Sequence, residues 1–157
     1  MIFSTFSRST TDNRWNIIRP FNPVAAPLSP DQVLGAFVEK AAKARGAGLK
    51  TVAMGPLGAV RDFFDTDHLS LLVKSLIDED EEGQIINACS GRPRRVRDLV
   101  ELLNGLEGGG FEIDEKPAEG DGPPIIGDPT KMLAYVPEAV EPDIEGILRH
   151  AWALQMG

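Results

Sequence analysis

Residues 60–68 read VRDFFDTDH and stand between a strand-like run and an amphipathic run over Leu69–Ile77. Asp65 or Thr66 can cap the helix that follows, because a short side-chain oxygen accepts a hydrogen bond from a free first-turn N–H. Arg61 precedes this cap, in a loop between two packed elements, where a cation can hold an anionic ligand without belonging to the core. The helix has apolar residues at the spacing of one buried stripe: Leu69, Leu72, Val73 and Leu76.

The composition is that of a globular chain with one domain. The 157 residues are 42% hydrophobic and 25% charged, which is enough for a core. A net charge of −8 does not attract nucleic acid. No apolar run reaches the roughly 18 residues of a membrane span, and we expect no signal peptide at the N-terminus. Cys89 is the single cysteine, so no internal disulfide can form and a cytoplasmic location is expected.

Two buried strands are predicted, one on each side of the opening stretch. They are Trp15–Ile18 and Gln84–Cys89. Prolines at positions 20, 23 and 27 prevent a helix or a central strand there, so the first strand delivers Arg19 and Asn22 into a rigid loop. Strand ends of this kind commonly line ligand clefts in α/β sheets. A proline-rich connector that binds nothing is the alternative.

Local signals predict the remaining elements. Residues 1–13 could be the tail of a helix or a disordered lead-in. Ser29 and Gln32 make a capping box for a helix over 30–45, and the acidic run 78–82 is expected to be a solvated turn. The other expected elements are a strand over Leu49–Met54, a helix from Val96 to Leu106, an edge strand over Phe111–Asp114, a long loop over 117–129 with an extended piece at Ile125–Ile126, a helical turn after Asp128, and a helix over Ile144–Leu154.

Several arginines crowd the start of the helix at Val96, where the helix dipole disfavours cations. Such a local conflict often marks a functional site, and the alternative is that these side chains are simply exposed to solvent. They are Arg92, Arg94, Arg95 and Arg97.

The sequence has no motif for metal or nucleophile chemistry or for a cofactor. His68, His150 and Cys89 stand apart from one another, so we expect neither a metal site nor a cysteine nucleophile. The glycines at 55–58 and 108–110 do not follow the strand, turn and helix order of a dinucleotide fingerprint.

The inventory for acid–base chemistry is also thin. The single tyrosine, Tyr135, is followed four residues later by Ala139, so no Tyr-x-x-x-Lys pair exists. We therefore expect no catalytic residue and no cofactor-binding residue in this chain. The remaining groups at strand ends and in loops suit recognition of a diphosphate and a sugar by fork-like arginine contacts and by amide or carboxylate hydrogen bonds: Arg19, Asn22, Arg61, Arg92 and Asp128.

Five short motifs occur in an order that is typical of one enzyme family. They are Arg19-Pro20-Phe21-Asn22, Ser29-Pro30, Val60-Arg61-Asp62-Phe63 with Asp65, Asn87-Ala88-Cys89-Ser90-Gly91, and Gly127-Asp128-Pro129-Thr130-Lys131. In these motifs the chain resembles extended short-chain dehydrogenases/reductases of the NAD-dependent epimerase/dehydratase family, which act on nucleotide sugars. Its greatest likeness is to the branch of GDP-4-keto-6-deoxy-mannose reductases and GDP-mannose 4,6-dehydratases. The resemblance covers about residues 14–155.

The resemblance implies an α/β fold that is the C-terminal part of a Rossmann-like extended fold. It would contain two sheet strands and a small mixed helical and strand subdomain, with residues 14–157 as the substrate-binding half and 1–13 as a lead-in. A complete family member has an N-terminal half with a glycine-rich NAD(P) turn and a Tyr-x-x-x-Lys pair, and the place of that lysine falls just before Met1. NADP or NAD is thus implied for the complete member and not for this chain alone.

The same resemblance implies that the chain binds a nucleotide-diphosphate sugar, most simply a GDP-hexose. Asn22 would contact the phosphates, Arg61 would clamp the diphosphate, and Asp128 would match the acidic position near the nucleotide ribose. Three places depart from the family pattern: His68 replaces a frequent Asp, Ala118-Glu119 stand where many relatives have a second clamping arginine, and the serine that usually caps the helix near Arg95 is missing.

Two main interpretations of function remain open. A third and less favoured one is an independent domain that shares only its fold with the family. The chain is either the substrate-binding half of an oxidoreductase, epimerase or dehydratase that works with a separate N-terminal Rossmann half, or a non-catalytic remnant or binding module. Two strands without their parent neighbours would expose an apolar sheet edge, so association with that half or into a homo-oligomer is expected.

Overall fold

The computed structural model describes residues 3–8, 13–80, 82–117, 120 and 122–156. The chain forms two compact units, and each unit is assembled from three separate segments. The first unit comprises Met1–Pro23, Asp62–Arg92 and Ile126–Pro142. The second unit comprises Val24–Arg61, Pro93–Ile125 and Asp143–Gly157.

Helices and short strands alternate along most of the chain. The strands are β1 Phe3–Arg8, β2 Asn13–Pro20, β3 Pro23–Val24, β4 Thr51–Met54, β5 Val60–Asp62, β6 Phe64–Asp65, β7 Ile85–Ala88, β8 Pro93–Arg95 and β9 Glu112–Glu115. The helices are α1 Val33–Gly46, α2 Thr66–Asp78, α3 Val96–Asn104, α4 Thr130–Tyr135 and α5 Ile144–Met156, with a 3₁₀ turn over Pro137–Val140.

The sheet of the first unit has the order β1-β2-β7. Strands β2 and β7 are parallel, with Ile17 opposite Ile85 and Ile18 opposite Ile86. They correspond to the two strands that the sequence predicts, and as parallel neighbours they end at the same edge of the sheet. The predicted end at Ile18 is wrong, because the central strand β2 continues through Arg19 and Pro20, opposite Asn87 and Ala88. Pro20 is tolerated there as the last residue of the strand. The loops that follow them, which carry Asn22 and Arg92, therefore begin at one edge.

Strand β1 corrects the prediction for the start of the chain. Residues 3–8 are neither the tail of a helix nor a disordered lead-in, because they pair antiparallel with β2 from Phe3 opposite Ile18 to Arg8 opposite Asn13. Pairing satisfies the backbone N–H and C=O groups along that side of β2, which gives a Ser/Thr-rich segment a reason to be extended. Residues 1, 2 and 9–12 lie outside the described part.

The core of the first unit packs helices on one face of this sheet. Its buried members are Ile18, Phe64, Leu72, Leu76, Ile86, Ala88, Met132, Val136 and Ala139. From the predicted α2 stripe, Leu72 and Leu76 are fully buried, while Leu69 and Val73 pack at the margin. Asp65, one of the two predicted caps, is the N-cap of α2. Its Oδ1 accepts a hydrogen bond from the Asp67 N–H at 2.8 Å. The acidic turn after α2 is exposed at 78–80 and 82, and Glu81 lies outside the described residues.

The second unit packs α1 against β4, α3 and α5. Strand β9 pairs parallel with β4, from Thr51 opposite Glu112 to Met54 opposite Glu115. Phe37 of α1 and Trp152 of α5 stack with ring centroids 6.1 Å apart. The Trp152 indole N–H donates to the Glu107 carbonyl at 2.9 Å, so this large buried side chain has its polar atom satisfied. The extended piece predicted at Ile125 forms an isolated parallel bridge to Arg61.

Helix α1 begins later than predicted. Its N-cap is Gln32, which makes no side-chain capping bond, so the capping box from Ser29 is wrong. Residues 29–32 form a turn instead, in which the Gln32 N–H donates to the Ser29 carbonyl at 3.1 Å. A Cβ on Gly35 would lie 2.0 Å from the Ser29 carbonyl oxygen. The turn thus lies against the first helical turn, at a position that only glycine permits.

None of the helices in the described part of the chain is long and apolar enough to cross a membrane.

Candidate functional site

A buried carboxylate organises the loops of the first unit. Asp62, at the end of β5, is fully buried. Its Oδ1 accepts from the Ser90 N–H at 2.9 Å and the Ser90 hydroxyl at 2.5 Å. Its Oδ2 accepts from the N–H groups of Gly91 at 2.8 Å and Gly127 at 3.2 Å. Four donors therefore satisfy a buried charge.

Two glycines let these loops approach closely. Gly91 has a φ of +70°, and a Cβ there would lie 3.0 Å from the ring of Pro129. A Cβ on Gly127 would lie 2.5 Å from the Cys89 sulfur. A side chain at either position would push apart segments that both donate to Asp62.

Asn22 is tied to the same residue. Its Nδ2 donates to the Asp62 carbonyl at 2.7 Å, and its own carbonyl accepts from the Phe64 N–H at 3.3 Å. The backbone of Asn22 has a φ of +34°, in the region where asparagine is enriched among residues other than glycine. The asparagine of the predicted strand end therefore fixes a turn, and its Oδ1 carries no hydrogen bond in the described part of the chain.

Asp128 lies in the exposed turn before α4. Its Oδ1 accepts from the Thr130 hydroxyl at 2.6 Å and from the Thr130 N–H at 3.0 Å. These bonds, the hydroxyl first and the backbone second, lower the pKa of the Asp128 carboxyl below its ordinary value. The group is thus held as a carboxylate, which suits hydrogen bonding to hydroxyl groups.

The two other candidates of the first unit are exposed cations. Arg92 pairs with Glu141 at 2.9 Å, and both side chains are largely exposed. The Arg92 N–H donates to the Ser90 hydroxyl at 3.1 Å, which connects its backbone to Asp62. Arg19 is exposed at the end of β2 and pairs in register with Asn87.

Arg61 belongs to the second unit. It lies in strand β5 and not in a loop, so the predicted loop position is wrong: its backbone is extended and forms a parallel bridge to Ile125. Its Nη1 donates to the carbonyls of Val60 at 2.8 Å and Pro123 at 3.3 Å. Its Nη2 and Nε have no hydrogen-bond partner within the described residues, so the side chain is anchored by one nitrogen and keeps donors for an anion. Ala118 and Glu119, where the second clamping arginine is missing, lie outside the described residues.

The start of α3 shows how the missing serine cap is replaced. The N-cap is Arg95, which makes no side-chain bond. The N–H groups of Val96 and Arg97 donate instead to the carbonyls of Ala59 and Leu57, at 3.0 and 2.9 Å. Arg97 also pairs with Glu115. The pKa of Glu115 is lowered, first by the bond from the Leu57 N–H and then by the bond from Arg97.

Cys89 is a core thiol. It is fully buried after β7, and burial, followed by the charge of Asp62, raises the pKa of its thiol to about 12. Such a thiol is a poor nucleophile at neutral pH, as the apolar strand around it predicts. Among the described residues, no group of three or more His, Cys, Asp or Glu side chains is placed to hold a metal ion.

Asp62, the residue on which the loops converge, was not among the predicted site residues. A weak signal was present: an acidic residue between Val60-Arg61 and Phe63-Phe64, in a segment whose apolar neighbours predict burial. A buried acid needs donors, and Ser90-Gly91 and Gly127 stood in the two other motifs. The structure brings Asn22 and the backbones beside Arg92 and Asp128 to Asp62.

Two curated proteins are similar in sequence to this chain. A GDP-6-deoxy-D-mannose reductase from Pseudomonas aeruginosa is 27% identical over 107 residues, which is 66% of this chain and 35% of the relative. A GDP-6-deoxy-D-talose 4-dehydrogenase from Aggregatibacter actinomycetemcomitans is 31% identical over 120 residues, which is 74% of this chain and 40% of the relative. A solved structure of RMD from Pseudomonas aeruginosa with NADPH has a TM-score of 0.76 at 23% identity, and the match covers 90% of this chain and 48% of that one.

The chain matches the C-terminal part of extended short-chain dehydrogenases/reductases. The predicted α/β class and the predicted family likeness are both confirmed. No family model matches the sequence. The chain spans less than half the length of the two curated short-chain dehydrogenase/reductase relatives.

Proposed function

We propose that this chain is the portion of an NAD(P)-dependent sugar-nucleotide oxidoreductase, epimerase or dehydratase that binds the nucleotide-diphosphate sugar. The observation that carries the proposal is that both curated relatives are named for GDP-6-deoxy-hexoses. A GDP-hexose is therefore the expected ligand. A cytoplasmic location is part of this proposal, since the one cysteine of the chain is a free and buried thiol.

The charges of the candidate residues fit this ligand. The chain carries a net charge of −8, so a diphosphate needs local cations to bind. Arg61 has guanidinium donors left for a phosphate, and Arg19 is an exposed cation at a strand end. Asn22 uses one Nδ2–H on the Asp62 carbonyl and has its second Nδ2–H left for a phosphate, and the Asp128 carboxylate can accept from ribose hydroxyls. Arg92 would first have to leave Glu141 to contribute.

In this proposal the chain orients the sugar and does not itself transfer hydride. NADP or NAD, together with a tyrosine and lysine pair, would be supplied by a separate half. Gripping the diphosphate would place the hexose carbon for reaction there, so that binding energy from a remote part of the substrate lowers the barrier.

The sheet of the first unit has a face on which that half could dock. Trp15 and Ile85 are 43% and 40% exposed. Ile17 lies opposite Ile85 and two residues after Trp15, so the three share one face, while Ile18 and Ile86 are buried on the other. We expect the chain alone to associate through this face, and Trp15→Ser to reduce that association in sedimentation velocity. Sedimentation is measured at chain concentrations up to about 100 μM. A wild-type chain that is still monomeric there would contradict the docking face.

The test of the ligand is calorimetric titration with GDP-mannose. We expect the wild-type chain to bind and Arg61→Ala to bind at least about tenfold more weakly, since a charge-assisted contact is worth about 1.5–3 kcal/mol. Arg149→Ala is the matched control, because Arg149 is an exposed arginine of the same unit. Absence of binding by the wild-type chain refutes the proposal and leaves a non-catalytic remnant; equal binding by Arg61→Ala refutes the clamp alone.

A second titration, with NADPH, tests whether the cofactor is bound by a part of the enzyme other than this chain. No heat is expected from this chain, and binding would show that it holds the cofactor itself.

A further inference from the structure

We propose that Asp62 is a positioning residue, whose buried carboxylate holds the loops that carry Arg92 and Asp128 in the arrangement that binds the nucleotide sugar, while its main-chain carbonyl holds Asn22. This inference rests on the proposed function and assigns a new residue to the same site. It places the control of affinity in a side chain that is fully buried and so cannot touch the ligand.

The first argument is the convergence of bonds. The Asp62 carboxylate accepts from Ser90 and Gly91 in the loop after β7, and from Gly127 in the loop before α4. Its main-chain carbonyl accepts from the Asn22 side chain in the loop after β2. Three loops from distant parts of the sequence are thus joined at one residue.

The second argument is adjacency. Arg92 follows Gly91 directly, and Asp128 follows Gly127 directly, so each candidate is one peptide unit from a donor to Asp62. Ser90 transmits the connection further, because its hydroxyl donates to Asp62 and accepts from the Arg92 N–H. A shift of the carboxylate would therefore move the backbone on which the candidates stand.

The third argument concerns charge. Converging backbone N–H groups of this kind form sites that bind anions such as phosphate. Here Asp62 supplies the anion from within the chain, and its two oxygens occupy the donors of Ser90, Gly91 and Gly127. The phosphates of the ligand are therefore left to side chains, such as Arg19 in the first unit, and the loop donors serve to fix the loops.

The experiment compares Asp62→Asn and Asp62→Ala with the wild-type chain by calorimetric titration with GDP-mannose, at a temperature where all are folded by circular dichroism. Hydrogen exchange at the N–H groups of Gly91 and Gly127 is measured by NMR on the same samples. Leu72→Ala is the control, since it removes buried apolar atoms from the core of the first unit and leaves every hydrogen bond to Asp62 in place. The titration of each Asp62 variant with GDP-mannose is repeated in about 100 mM sodium formate, because a formate ion can enter the space that the removed carboxylate leaves. The same titration in about 100 mM sodium chloride controls for ionic strength.

We expect Asp62→Asn to bind GDP-mannose at least tenfold more weakly and to exchange Gly91 and Gly127 N–H groups at least tenfold faster. Leu72→Ala should bind within about twofold of the wild-type chain while being less stable to heat. Formate, and not chloride, should restore at least half of the lost affinity of Asp62→Ala. If Asp62→Ala does not fold, Asp62→Asn carries the comparison.

Two failures can be told apart. If the wild-type chain binds GDP-mannose and Asp62→Asn binds it equally well, Asp62 is not a positioning residue and the proposed function stands. An equal loss of affinity in Leu72→Ala would also overturn the inference, since any loosening of the unit would then suffice. If the wild-type chain does not bind, the proposed function fails and the positioning role fails with it.

Discussion

Arg61 and Asp62 are consecutive in the sequence, but they differ in burial and in hydrogen bonding. The Arg61 guanidinium is partly exposed and is anchored through one nitrogen to two backbone carbonyls. The Asp62 carboxylate is fully buried and accepts four hydrogen bonds. The role proposed for Arg61 depends on a ligand, whereas the hydrogen bonds of Asp62 are already made within the fold. The difference teaches that consecutive residues of one strand can differ in burial and bonding, so a candidate for ligand contact and a residue that holds loops can stand side by side.

The largest expected effect concerns the thiol beside Asp62. With a pKa raised to about 12 from 9.0, Cys89 should react with iodoacetamide about a thousandfold more slowly in the folded chain than in urea at pH 8. Asp62→Asn should speed this reaction, because the loops that cover Cys89 open more often, while Arg61→Ala should leave it unchanged. Mass spectrometry of timed aliquots measures the rate. Rapid labelling of the folded wild-type chain would show that the Asp62 loops are open.

Stability should separate the two residues next. Asp62→Ala is expected to lower the free energy of unfolding by about 3 kcal/mol, since an unsatisfied buried donor costs about 1–3 kcal/mol and several are left. Arg61→Ala should lower it by less, by about 0.5–1 kcal/mol, because its two hydrogen bonds to backbone carbonyls are part-buried and exposed rather than fully buried. Urea denaturation followed by circular dichroism measures both. Similar losses for the two variants would remove the contrast between a ligand-binding and a loop-holding residue.

Gly127→Ala should disturb the Asp62 loops from the other side. The new Cβ would lie 2.5 Å from the Cys89 sulfur, so we expect a loss of about 1–3 kcal/mol in thermal or urea unfolding. Gly55→Ala is the matched control, since nothing lies within 4 Å of a Cβ there and a small gain is expected from reduced freedom of the unfolded chain. A Gly127→Ala variant as stable as Gly55→Ala would mean that the loop adjusts freely.

The smallest effect is the pH dependence of the second unit. The pKa of Glu115 is lowered in the folded chain, so its stabilising contribution is full above its ordinary pKa and is lost as the pH falls through the lowered value. Glu115→Gln should therefore be less stable than the wild-type chain at pH 7, and the two should converge below about pH 4. Urea midpoints at pH 7, 5, 4 and 3 test this. A constant difference at all four values would assign the effect to packing.

The sequence predicted the elements whose signals are local. The spacing of Leu72 and Leu76, the cap at Asp65, and the two apolar strands β2 and β7 all follow from neighbouring residues, and the structure confirms them. The predicted start of α1 was wrong. The carbonyl of Ser29 lies against Gly35, and this contact cannot be inferred from the residue types near the helix start.

The candidate site was predicted only in part, for a physical reason. Arg61, Asn22 and Asp128 were selected as polar groups at strand ends and in loops, which chain order makes visible. Asp62 was not, because its importance comes from donors 28 and 65 positions away along the chain. Long-range hydrogen bonds of this kind leave no periodic pattern in the sequence, so a buried acid between apolar residues is the signal to follow in other chains.

The segments of the two units alternate along the chain, and this order has a consequence for how the protein can evolve. Each unit is assembled from three stretches separated in the chain, so no uninterrupted piece of the gene encodes either one. A recombination that exchanges a single contiguous stretch replaces parts of both units, or only a fragment of one. The two units are therefore inherited together, and substitutions that suit one to a new ligand accumulate in the same reading frame as those that keep the other folded.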